Sequence, residues 1–97
     1  MKFDVRPALE AKGFIAKPGY LGGTVLHKDY TKQVEVAWYG QREKRLTVEV
    51  WVNSEASCLT VYYYDGGVSP FKAKNHLNEK RAYNAIADTI KNNGFEI

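Results

Sequence analysis

The side chains best equipped for chemistry lie between His27 and Tyr64, and their spacing is that of strands. His27 falls in TVLHKDY (24–30), Glu35 and Tyr39 in VEVAWY (34–39), Glu49 and Trp51 in LTVEVWV (46–52), and Tyr62 and Tyr64 in LTVYYY (59–64). In a strand, residues two apart share a face. A five-residue loop at 40–44 would pair Tyr39 with Arg45 and set Glu35 opposite Glu49. A turn at 29–32 would set His27 opposite Glu35, and a loop at 53–58 would bring Tyr62 beside Glu49. The resulting row, His27–Glu35–Glu49–Tyr62, has the chemistry of a metal-dependent or acid–base hydrolase: a proton shuttle beside two carboxylates that raise each other's proton affinity. A slip of two residues keeps every side chain on that face and breaks the row.

The same face supports a reading without catalysis. Trp51, Tyr39, Tyr62 and Tyr64 make a large aromatic area, and Trp and Tyr are the usual anchors of protein interfaces. Glu35 and Glu49 would supply its polar part. The expectation from sequence is therefore a small non-enzymatic binding protein, an inhibitor or adaptor, that engages a protein partner through these six residues. It has no catalytic residue, metal or cofactor. The competing ligand is single-stranded nucleic acid or RNA. Arg42, Lys44 and Arg45 form one basic cluster and Lys72, Lys74, Lys80 and Arg81 another, and cations beside stacking rings suit such a strand. Glu35 and Glu49, in the middle of the platform, oppose a phosphate chain.

Other chemistries lack their motifs. Gly22-Gly23 and Gly66-Gly67 do not have the spacing of a phosphate loop, and no Ser-centred elbow or His-Glu-x-x-His is present. Cys58 is the single cysteine, which excludes an intramolecular disulfide and a cysteine-based zinc site. His27 and His76 are the two histidines. A net charge of +3 is too modest to assign a nucleic-acid partner by itself. MKFDVRP carries no apolar secretory segment and no run approaches a membrane span, so a cytoplasmic protein without membrane contact is expected.

The elements that would position these residues form one domain over 1–97, since a chain of this length supports one two-layer core. Residues 3–14 predict a short helix with Asp4 as N-cap, Val5 and Leu9 on its buried stripe, and Gly13-Phe14 at its close. From Asn78 to Asn93 the recurrence of Ala82, Tyr83, Ile86, Ala87 and Ile90 predicts a second helix, closed by Gly94-Phe95. Three of the β-rich runs place Val34, Val36, Trp38, Leu46, Val48, Val50, Val52, Leu59, Val61 and Tyr63 on one greasy face. The predicted class is α+β: a two-layer, four-stranded antiparallel meander with both helices on one face, in the order α-β-β-β-β-α. Trp38 is then buried against the helices, and Trp51 is exposed on the other side.

Overall fold

The computed structural model describes residues 3–19, 23–38, 40–52 and 58–97. Its elements run α1 (Val5–Glu10), β1 (Ile15–Pro18), β2 (Thr24–Val36), β3 (Gly40–Val52), β4 (Leu59–Tyr64), β5 (Lys72–His76) and α2 (Glu79–Asn92). The strands form one antiparallel sheet in sequential order, β1 to β5, flanked by the N- and C-terminal helices. The α+β class and the meander are as the sequence predicts. The strand count is five rather than four, for two reasons.

The first lies in the central hairpin. TVLHKDY and VEVAWY do not make two strands with a turn at 29–32; residues 24–36 form one 13-residue strand. Asp29 marks the difference. A turn would use its carboxylate on the local backbone, but here Oδ1 accepts a 2.6 Å hydrogen bond from Thr47 Oγ1 across the ladder. The chain reverses instead beyond the last pair, Val36 and Gly40, and Gly40 takes the positive φ (+82°) typical of short hairpin links. The segment 40–44, expected as a loop, is therefore strand.

The second is a pair of edge strands, β1 and β5, in segments that look like connections. Only four and five residues long, they carry Lys17, Lys72, Lys74 and Pro18. Short, charged, proline-bearing strands are what sheet edges carry.

The core occupies one side of the sheet. Val5 and Leu9 of α1 and Ala82, Ile86 and Ile90 of α2 are buried together with Leu26, Leu46, Val48, Val50, Leu59, Val61 and Tyr63. Burying each such aliphatic side chain stabilises the fold by about 1.5–3 kcal/mol. Val34 and Val36 share this face but lie beyond the reach of the main cluster and are only half-buried. Trp38 continues their parity past the last paired residue, so it projects from the hairpin tip and is 89% exposed. Its predicted burial is thereby corrected: the alternation was sound, but the helical layer ends before the strand does. Trp51 has the expected opposite parity, at 37% exposed.

Both helices begin and end as their sequences dictate. Asp4 accepts from the Arg6 amide and Asn78 from the Arg81 amide, each at 3.0 Å. At the far ends Gly13 (φ +93°) and Gly94 (φ +86°) let the Phe14 and Phe95 amides return to the Leu9 and Ile90 carbonyls, both at 3.1 Å. Strand β2 adds a second cap to each. Lys28 Nζ donates to the Lys12 carbonyl at 2.6 Å, and Lys32 Nζ to the Gly94 carbonyl at 2.5 Å. A cation at a helix C-terminus complements the partial negative charge of the free carbonyls. Four residues apart on one strand, these lysines tie both helices to the same sheet face.

Candidate functional site: the open face of the sheet

The side away from the helices carries alternate residues of every strand. The register sets them in rows. Lys17, Val25, Trp51, Thr60 and Asn75 form one, and Ile15, His27, Glu49, Tyr62 and Ala73 the next. Asp29, Thr47 and Tyr64 form a third. Thr60 Oγ1 donates to Asn75 Oδ1 at 2.8 Å, which ties the fourth strand to the edge. Val25 is buried although it faces this side, and Gly19 packs close against it. The Gly19 amide bonds the Gly23 carbonyl at 2.8 Å, and a Cβ on Gly19 would stand 3.1 Å from the valine methyl.

The expected row of four side chains is partly formed. Tyr62 lies directly across from Glu49, and so does His27. Glu35 does not join them. It pairs with Gln41 out on the hairpin, eight residues along the strand from His27, or about 26 Å. The misplacement follows from the absent turn at 29–32. Two opposed glutamates are therefore not present, and the His27–Glu35–Glu49 arrangement is corrected to His27–Glu49. His27 Nδ1 lies 3.4 Å from the Ile15 carbonyl, a long contact that turns the ring toward the β1 edge. Among the described residues no three His, Cys, Asp or Glu side chains are grouped to hold a metal ion.

Of the aromatic set, Trp51 and Tyr62 meet edge to face, with ring centroids 6.2 Å apart and planes at 82°. Such a pair contributes about 0.5–1.5 kcal/mol beyond the area it buries. Tyr64, half-buried, follows on the same strand face. Burial first, then hydrogen bonding to the Glu49 carboxylate, holds its phenol above the usual range. Tyr39 lies outside the described residues.

Beside these rings is a groove of about 580 Å³. Asp29, Thr47, Glu49 and Tyr64 line it with Arg45 and the turn Gly66–Val68. Gly66, at φ +107°, shapes that turn, and a Cβ there would touch the Arg45 side chain at 3.7 Å. Arg45 Nε also donates to Glu43 Oε1 at 2.5 Å. Sequence reasoning missed the groove because its wall is a glycine turn that carries no recognisable motif. The Asp65-Gly66-Gly67 breaker was the available signal.

The basic residues do not surround this face. Arg45 alone of the seven shares its parity. Arg42 and Lys44 point to the helix side of the hairpin, and Lys72 and Lys74 to the helix side of β5. Lys80 and Arg81 sit in the first turn of α2. Two are engaged with rings: Lys72 lies over Tyr63, and Lys80 over Phe3 and Tyr83. The stem of a lysine covering an aromatic contributes packing as well as charge. His76 lies on the helix side of β5, opposite Leu59, and its pKa is lowered by burial and then by Lys74 and Lys72. No helix among the described residues is long and apolar enough to cross a membrane.

The chain matches no family model, no curated protein and no solved structure.

Proposed function

We propose that this protein is a small non-enzymatic binding protein, of the inhibitor or adaptor type, and that it holds a protein partner on the open face of its sheet. The observation that carries this reading is the edge-to-face Trp51–Tyr62 pair beside the Asp29–Glu49–Tyr64 groove, on the one broad sheet face that the helices leave uncovered. Rings fixed on strands lose little rotamer freedom when a partner covers them, so each Å² buried converts efficiently into affinity. The surrounding Thr47, Thr60, Asn75 and Glu49 supply a polar rim of the kind that borders an interface core. A carboxylate-lined groove next to the rings favours a partner segment with an apolar anchor followed by a cationic side chain. Glu35, on the distant hairpin, is not part of this surface.

The reading is tested by placing a photo-crosslinking residue at Thr60 or Asn75 on the open face, and at Asp88 on the exposed side of α2. The open-face positions trap one protein and Asp88 does not. That protein, once purified, loses about 30-fold or more in affinity when Trp51→Ala and Tyr62→Ala are combined, the loss expected of two anchors. Crosslinks spread evenly over all three positions would refute it.

A further inference from the structure

A second surface follows from the hairpin. Strand β1 pairs with β2 only as far as His27, and β4 pairs with β3 only from Thr47. Beyond those points β2 and β3 run on as a two-stranded ribbon to Val36 and Gly40. From Thr31 to Val36 the projection is about 17 Å. Trp38 stands 89% exposed at its tip.

The ribbon is sorted by charge. On the helix-side face lie Lys32, Val34 and Val36 across from Lys44, Arg42 and Gly40, with no acidic side chain among them. Both ribbon carboxylates, Glu35 and Glu43, have the other parity, where Glu43 is paired with Arg45. Lys32 stands directly opposite Lys44. Both ammonium groups converge on Gly94: a Cβ there would lie 2.7 Å from Lys32 Nζ and 3.6 Å from Lys44 Nζ. Like charges opposed across a ladder are destabilising. Among the described residues Lys32 is the cation that bonds the Gly94 carbonyl, and Lys44 and Arg42 add positive charge beside it. A polyanion would relieve the repulsion.

We infer that this ribbon is a duplex-DNA-binding arm. Its Lys32–Lys44–Arg42 face lies along phosphates, and the Trp38 indole at the tip packs against base edges in the groove. A two-stranded ribbon fits the roughly 12 Å major groove of B-form DNA, whereas the deep, narrow major groove of A-form RNA does not admit it. Three cations on one face give modest, sequence-independent binding that depends steeply on salt. The surface is separate from the open face, so either reading can fail without the other.

The experiment uses the full chain and a fluorescein-labelled, mixed-sequence DNA duplex, followed by anisotropy between about 50 and 200 mM salt. Three neutralised phosphates predict about a 40-fold loss of affinity across that range. Arg42→Gln with Lys44→Gln lowers affinity at least tenfold and reduces the salt slope by about two, while Arg45→Gln, on the other face, changes it less than twofold. Trp38→Phe removes the fluorescence quenching that accompanies binding and leaves the thermal midpoint unchanged. Three results would each overturn the proposal: no binding at low salt, equal losses from Arg45→Gln and the double variant, or equal affinity for an RNA duplex. Binding to phosphatidylserine vesicles in place of DNA would also overturn it and assign the arm to membranes.

Discussion

At the scale of single residues, the two tryptophans show how parity and depth separate. The period-two pattern puts Trp38 and Trp51 on opposite faces, and that relation holds. Which of them is covered depends on how far the helical layer extends along the strand, and no local pattern encodes that. Trp38→Ala should therefore change stability by no more than about 0.5 kcal/mol. Ile86→Ala, in the core, should cost about 3 kcal/mol. Chemical denaturation of the two variants checks the contrast. Tyr30 supplies a second test. Its hydroxyl is buried and finds no hydrogen-bond partner among the described residues, and burial, with a smaller contribution from Tyr83, pushes its pKa from 10.0 up to about 12. The folded state thus holds the phenolic proton more tightly than the unfolded chain. This contribution is whole below about pH 10 and is lost as pH rises toward 12. Tyr30→Phe should flatten that alkaline fall in stability. At neutral pH it should be neutral or slightly stabilising, because it removes an unpaired buried hydroxyl. Unfolding curves at pH 8 and 11 measure both effects.

At the scale of elements, the second helix was legible to within a residue at each end, and the first, read over 3–14 and found at Val5–Glu10, at its start, because caps and apolar spacing agree. Asp4, Asn78 and the two Gly-Phe endings each mark a boundary for which a backbone hydrogen bond accounts. The strands were legible in type but not in extent. Asp29 reads as a turn residue until its cross-strand bond to Thr47 is known, and β5 reads as a basic loop because its alternation is hidden under lysines. The lysine caps were invisible to sequence, since Lys28 and Lys32 act on helix ends 16 and 62 residues away. Lys32→Met should cost about 0.5–1 kcal/mol through loss of the bond to the Gly94 carbonyl. Gly94→Ala should cost about 1 kcal/mol or more, because alanine at φ +86° is strained and its methyl would displace the Lys32 ammonium. The thermal midpoints of the two variants and of their combination test this. Since each disrupts the same contact, the double variant should lose less than the sum.

At the scale of the whole molecule, the chain is a one-sided sandwich with a ribbon projecting from it, 50 Å in its longest dimension. Most of the open face could be read from sequence, because Trp51, Glu49, Tyr62 and Tyr64 need only strand parity to fall together. Glu35 could not be placed, since its position depends on where one hairpin turns. The groove could not be seen because it exists only when the Gly66–Val68 turn meets Arg45. The central claim is that the Trp51–Tyr62 pair anchors a protein partner. It is tested most directly by titrating the partner trapped from Thr60 or Asn75 against the wild-type chain and against the combined Trp51→Ala and Tyr62→Ala variant, with far-UV circular dichroism on both. The account predicts an unchanged spectrum and an affinity lower by about 30-fold or more. Equal affinity for the two chains would contradict it and leave the open face a solvated surface.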